Sequence, residues 1–255
     1  MNFIIHPNFK NDEKSIKHLL EHFSVSGKKF DERARNQIKL FDFNGKTINV
    51  KSFKKPNFIN KIIYRFFRKS KAKRSFEFAN LLLSKNIGTP EPIAYLENYD
   101  AIGLTESYYV SEHLHYDLTY REISQDFSYP DAENILRQFT RFCYRLHEAG
   151  IEFKDHSPGN TLIKKVSENT YEFYLVDLNR MDFHEHLSFE QRMHNLRRLT
   201  PKKEIISVMA NEYAQLYTQK SEEETLELLW KNTSEFQEKF HRKQRMKKRI
   251  KFWKK

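Results

Sequence analysis

Residues 150–163 read Gly-Ile-Glu-Phe-Lys-Asp-His-Ser-Pro-Gly-Asn-Thr-Leu-Ile. Upstream, Ile135, Leu136, Phe139, Phe142, Cys143 and Leu146 recur at helical spacing. Pro130, Asp131 and Glu133 open that helix, and Gly150 closes it after Glu148. Downstream, Pro158-Gly159 turns the chain into a strand, Thr161–Val166, which pairs with Tyr171–Val176 in a short hairpin. Asp155 and Asn160 therefore share one loop between a helix and a strand. Asp177 follows the second strand.

Moving outward, the first half is rich in strand signals. Ile38, Leu40 and Asp42 alternate with Lys39, Phe41 and Phe43, and Asn44-Gly45 leads into Thr47–Phe53. Asn-Gly between two such runs marks a hairpin, because both turn positions need positive φ. Lys51 lies on its second strand. Phe76, Ala79 and Leu83 place a helix over 70–86, ended by Gly88 and blocked by Pro90 and Pro92. Strands are expected at Pro92–Leu96 and Ser107–Ser111, with Glu112 at the exit from that sheet. The first thirty residues show only weak helical character around Lys14–Phe23. Beyond residue 188, helical patterns fill 188–199, 204–218 and 221–252. Strand-rich and then helix-rich is an α+β layout in two lobes.

Composition excludes several classes. Hydrophobic residues at 38% and aromatics at 15% support a folded core rather than disorder. One cysteine, Cys143, excludes an internal disulfide and a thiolate zinc site, and it reads as a core residue. The histidines, among them His184, His186 and His194, lack sequence partners at metal spacing, and His156 reads as structural. The N-terminus lacks a secretory pattern, and no apolar run reaches membrane-spanning length, so a reducing, cytoplasmic setting is expected. The net charge is +11, unevenly spread. Residues 51–74 hold ten Lys or Arg and no acid, residues 239–255 hold ten more, and the remainder is net acidic. That distribution points to a polyanionic surface.

Asp155, Asn160 and Asp177 have the chemistry that phosphoryl transfer requires. One carboxylate accepts or orients a hydroxyl proton, while a second carboxylate and a carboxamide oxygen suit hard Mg²⁺ ions. The D-x-x-x-x-N spacing with a strand-borne Asp resembles the catalytic loop and metal-binding Asp of protein-kinase-like enzymes. Ser157 stands where protein Ser/Thr kinases have a lysine, which is similar to the small-molecule branch. Lys71–Ala79, Ile87–Pro92 and Ser107–Val110 resemble the lipopolysaccharide core kinase family, which phosphorylates Kdo or heptose. The resemblance spans about residues 35–185. It implies ATP and Mg²⁺ as cofactors, Lys51 on the α/β-phosphates and Glu77 pairing Lys51. Glu112, at the exit from the sheet, and Arg35, in place of a glycine loop, are expected as further nucleotide contacts. Asp155 would be catalytic, with Asn160 and Asp177 on metal.

The departures are informative. No G-x-G-x-x-G precedes Lys51, leaving Ser26-Gly27-Lys28 and the Arg33–Asn36 turn as phosphate-loop candidates. Phe153-Lys154 replaces His-Arg, Leu178-Asn179 replaces Phe-Gly, and no Ala-Pro-Glu segment follows, which argues against a peptide groove. The expected organisation is a bilobal protein-kinase-like fold: an N-lobe over 1–112, a C-lobe over 113–238 and a basic amphipathic tail over 239–255. The expected activity is ATP-dependent phosphorylation of a sugar hydroxyl on a lipid-linked acceptor. The expected location is the cytoplasmic face of an anionic inner membrane, met through 58–74 (Phe58, Ile62, Phe66, Phe67) and through 239–255 (Met246, Ile250, Trp253). No nucleic-acid partner is expected. The rivals are an atypical protein or antibiotic-type phosphotransferase and a pseudokinase scaffold.

Overall fold

The computed structural model describes residues 1–31 and 36–252, the side chains of residues 31, 251 and 252 excepted. Residue contacts divide the chain into two compact units. One holds Met1–His115 together with Val176–Arg180, and the other holds Tyr116–Leu175 and Met181–Lys255.

The first unit is built on a six-stranded sheet. In chain order its strands are β1 (Asn2–Ile5), β2 (Lys28–Asp31), β3 (Gln37–Phe43), β4 (Lys46–Ser52), β5 (Pro92–Tyr99) and β6 (Leu104–Glu112). They lie side by side as β1-β5-β6-β4-β3-β2, all antiparallel to their neighbours. The β3–β4 turn is the expected one, with Asn44 at φ 49° and Gly45 at φ 75°. Side chains alternate along β4 and divide two cores between the faces of the sheet. Ile48 and Val50 pack with Ile16 and Leu20 of α1 (Glu13–Glu21) and with Phe23, Leu96 and Val110. On the other face, Phe53 and Tyr95 pack with Ala72 and Phe76 of α3 (Lys71–Ser84). Each Ile, Val, Leu or Phe among these, once buried, contributes about 1.5–3 kcal/mol.

Two details differ from the sequence reading. Strand β1 is a real strand paired with β5, Phe3 opposite Leu96, where only a short apolar run was legible. Helix α3 stops at Ser84, and Asn86 at φ 57° takes the left-handed position that Gly88 was expected to fill. A further helix, α2 (Phe58–Phe66), sits between β4 and α3, capped by Asn57, whose side chain accepts from the Asn60 amide. It is tied to the β5–β6 turn by Lys61 on Asp100 at 2.7 Å and by Arg65 on the Asp100 and Ala101 carbonyls.

The second unit is mostly helical. Strand β7 (Leu118–Thr119) leads into α4 (Tyr120–Gln125) and α5 (Ala132–Glu148). Then come β8 (Ile151–Phe153), β9 (Thr161–Ser167), β10 (Thr170–Leu175) and β11 (Met181–Phe183), followed by α6 (Phe189–Leu196), α7 (Lys203–Leu216) and α8 (Glu222–Phe252). Strands order as β10-β9-β7 in one small sheet and β11-β8 in another. Helix α5 is the spine. Its Ile135, Leu136, Phe139, Phe142, Cys143 and Leu146 are all buried, and Phe139 stacks on Tyr120. Burial pushes the Cys143 thiol far up, which suits a core residue. No helix among the described residues is long and apolar enough to cross a membrane.

Candidate active site

In the first unit the central residue is Lys51. Strand β4 sets it opposite Ile38 of β3 and Tyr109 of β6, on the α3 face of the sheet. Only 14% of its side chain is exposed, so its ammonium needs a partner. The partner is Asp177, whose Oδ1 accepts from Lys51 Nζ at 2.7 Å. Asp177 sits at φ 59°, a left-handed backbone that Asp tolerates better than most residues. Its Oδ1 also accepts from Asn179 Nδ2 at 2.6 Å, and the Asn179 carbonyl accepts from Arg74 Nη1 of α3, also at 2.6 Å. The segment Val176–Arg180 is thus fastened to α3 and β4 by charge-assisted bonds.

Glu77 does not hold Lys51. Its carboxylate takes Lys69 on both oxygens, at 3.0 and 2.9 Å. The expected pairing is corrected on this point, because Lys69 is an exposed lysine within reach and Lys51 is already engaged. Glu112, at the end of β6, pairs with Lys46 at 2.5 Å, while its backbone amide donates to the Glu91 carbonyl. Arg35, with Arg33 and Ala34 of the Arg33–Asn36 phosphate-loop candidate, lies outside the described residues. Lys28 and Ser26 frame the start of β2. There Gly27, at φ 80°, lies against the Phe41 ring, with no room for a Cβ.

In the second unit the loop after β8 carries Asp155 and Asn160. Pro158–Asn160 forms a single 3-10 turn, which folds the Asn160 side chain back so that Nδ2 donates to the Asp155 carbonyl at 2.8 Å. With the amide nitrogen used in this way, Oδ1 is the atom Asn160 would offer to a cation. Arg198, which sequence reasoning missed, donates to the Asp155 carboxylate at 3.0 Å and to the Lys154 carbonyl at 2.8 Å. Only the Arg197-Arg198 doublet at the end of α6 could have drawn notice to it. Gly159 leaves room for Arg121, since a Cβ there would lie 2.4 Å from its Nη2.

His156 is fully buried between Phe153 and Phe139. It was expected to be a structural hydrogen-bonder, yet neither ring nitrogen meets a partner in bonding geometry. Burial lowers its pKa to about 4, against a weaker opposing influence from nearby Asn195. The imidazole beside Asp155 is therefore neutral. The satisfied histidine is His147, between Tyr213 at 2.8 Å and Asn195 at 3.3 Å, while Asn195 also donates to the Phe153 carbonyl. His184 was read as solitary, but its Nε2 lies 3.2 Å from Glu152, and Asp182 completes the grouping. Lys154 is ion-paired with Asp182 and supplies that group's countercharge.

Lys51 and Asp177 thus stand together in one unit, and Asp155 and Asn160 in the other. The carboxylate and carboxamide donors are hard oxygens, which suits Mg²⁺. Residues 30–220 match the model described as the lipopolysaccharide kinase (Kdo/WaaP) family. The chain belongs to this family. Membership gives it the family's reaction, phosphate transfer to lipopolysaccharide, with ATP use implied by the kinase class. Over 93% of this chain and 99% of the other, the fold is similar to that of a solved structure titled WaaP in complex with acyl carrier protein, with a TM-score of 0.65. The identity there is 17%, so the likeness speaks for the fold, which is the α+β protein-kinase-like one. No curated protein matches the chain.

Proposed function

We propose that this kinase phosphorylates a sugar hydroxyl of the lipopolysaccharide inner core, on Kdo or heptose, using ATP and Mg²⁺. The observation that carries this reading is the Asp155 loop. Asn160 is folded onto the Asp155 backbone, Ser157 replaces the lysine of protein kinases, and Arg198 fixes the carboxylate. Asp155 accepts the proton of the acceptor hydroxyl, and its bond to Arg198 steadies the carboxylate for that role. Lys51 grips the nucleotide phosphates. Asp177 and Asn160 would hold the metal, which supplies charge neutralisation on the phosphates. Glu112 and Arg35 are proposed as further nucleotide contacts, and Glu77 as a support of α3 through Lys69.

The acceptor is lipid-linked, and the basic segments would hold the enzyme at an anionic inner membrane on its cytoplasmic side. Support comes from α2, where Phe58, Ile59 and Phe66, with Phe67 just after, are exposed beside the run of ten cations. Met246 and Ile250 are likewise exposed on the basic end of α8. Each Lys or Arg near such a surface contributes about 1 kcal/mol. An acyl carrier protein, the partner in the neighbour's complex, is proposed as a protein partner here too.

The test is the variant Asp155→Asn. Turnover should fall by roughly 10²–10⁴-fold, the share a positioned base supplies, with nucleotide binding kept. Full activity in that variant refutes the role. Mass spectrometry of lipid A–core from cells with and without the gene should differ by one phosphate, and an unchanged core sinks the acceptor assignment. A nucleotide thermal shift that ignores Mg²⁺ would favour the scaffold reading.

A further inference from the structure

Arg74 of α3 is 9% exposed. One nitrogen, Nη1, is spent on the Asn179 carbonyl, but Nε is buried with no hydrogen-bond partner. Among the described residues no carboxylate is paired with this guanidinium. Its neighbours are cationic instead. Burial first and Arg68 next push its pKa down, Tyr64 opposes them, and Arg180 adds to the depression. A guanidinium stays charged even so. A buried charge with like charges around it and an unfilled donor costs free energy unless an anion completes it.

Tyr64 joins this corner to a cavity of about 350 Å³. The polar side chains lining the cavity include Lys54, Lys55, Lys71, Asn57 and Ser107. No Asp or Glu is among the lining residues, although Lys55 is ion-paired at 2.8 Å with Glu106, which lies outside the lining. Lys71 and Arg74 are three positions apart on α3, so they share a face. The cavity is therefore rimmed by cations and neutral donors at the start of the helix that fastens the Asp177 loop.

We propose that this cavity, with the Arg68–Arg74 corner joined to it at Tyr64, is a binding site for a phosphate monoester, separate from the nucleotide grip of Lys51. Lysines supply point charges and the guanidinium supplies directed donors, the combination that a doubly charged phosphate oxygen set takes. A bound phosphate would also fill the Nε donor of Arg74. Because Arg74 Nη1 holds the Asn179 carbonyl, occupancy steadies the loop that carries Asp177. The monoester is either a soluble phosphate or a lipid headgroup. The proposal rests on the kinase reading only for that link to Asp177.

The experiment measures binding without nucleotide or metal, on full-length protein carrying Lys51→Ala, so the outcome does not depend on the kinase reading. sn-Glycerol 3-phosphate is titrated calorimetrically. Phosphatidylcholine vesicles doped with phosphatidic acid are compared with the same vesicles doped with phosphatidylglycerol. The Lys54→Ser/Arg68→Ser pair, both exposed positions, should bind the monoester about tenfold more weakly, about 1.4 kcal/mol. Arg74→Lys keeps the charge but loses the Nε donor, and it should weaken binding as well. Preference for phosphatidic acid over phosphatidylglycerol, lost in the double variant, assigns the lipid source. Glycerol 3-phosphate binding with no lipid preference assigns a soluble one. Equal affinity of parent and double variant for the monoester in both forms overturns the proposal.

Discussion

Acidification should destabilise this protein well before its carboxylates protonate, and two histidines determine how far. His147 and His156 are both fully buried and neutral, and burial lowers their pKa values to about 3 and about 4 from 6.5. The folded values lie below the unfolded one, so the unfolded chain binds more protons wherever pH falls beneath 6.5. Their stabilisation is full above that pH and is lost progressively as pH falls toward the folded values. For a folded pKa of about 4, the loss between about pH 7.5 and about pH 5 is about 2 kcal/mol, and His147 adds a similar amount. Partly exposed His113 and His194 are lowered in the same direction and add less. Carboxylates such as Glu13 and Asp100, held down to about 2 by their lysine partners, begin to lose their contribution only as pH enters the ordinary carboxylate range, and lose it down to about 2. Urea unfolding followed by tryptophan fluorescence at the two pH values measures the difference. In His156→Leu the pH-dependent part should shrink by about half. A wild-type stability that is flat from neutral pH to about pH 5, or an unchanged slope in His156→Leu, refutes the assignment.

Gly150→Ala should be far more costly than Gly45→Ala, although their φ values are nearly equal at 74° and 75°. A Cβ at 150 would lie 2.0 Å from the His184 carbonyl oxygen, while one at 45 meets nothing within 4 Å. Chemical denaturation should show a loss of about 3 kcal/mol or more for the first and about 1 kcal/mol for the second; equal losses would remove the steric argument. Lys39→Met should cost about 2–4 kcal/mol, because the buried ammonium accounts for the Phe23, Ser24 and Ser26 carbonyls at 2.5, 3.2 and 2.8 Å. A thermal midpoint in that variant equal to wild type would show those carbonyls finding water instead.

What was legible in the sequence was local. The Asn44-Gly45 hairpin, the α5 stripe ending at Gly150, and the strand pair after Pro158-Gly159 each carry a short-range signal, and each folds as read. What was not legible depends on distant partners. Strand β1 is four residues long and exists because β5 pairs with it across ninety-odd positions, Asn2 facing Glu97. Lys39 sits on a strand that alternates as expected, but its burial comes from the loop after α1 closing over it. At the site, Asp155 and Asn160 are five apart, and their mutual bond follows from the turn between them. Arg198 lies forty-three residues beyond Asp155, and beyond the doublet it forms with Arg197 nothing in the sequence links it to that carboxylate. The Glu77–Lys69 pair spans eight residues, outside the three- and four-residue spacing that a helix pattern reveals.

The exchange of partners around Lys51 follows from the supply of charge. Residues 51–74 bring ten cations and no acid into the first unit, so Glu77 is the first carboxylate the chain provides after that run. Lys69, with 57% of its side chain exposed, reaches both of its oxygens at little cost in desolvation. Lys51 is on the sheet and nearly covered, so it needs a carboxylate brought to it, and the Val176–Arg180 segment brings Asp177. That segment is in turn held by Arg74 through the Asn179 carbonyl. A line of polar bonds therefore runs from β4 through Asp177 and Asn179 to α3, and every carboxylate along it is already matched. The surplus positive charge collects at its far end, where Arg68 and Arg74 adjoin Tyr64 and the lysine-rimmed cavity. At that end the Nε of Arg74 is buried without a hydrogen-bond partner, and this is the donor that the proposed phosphate would take.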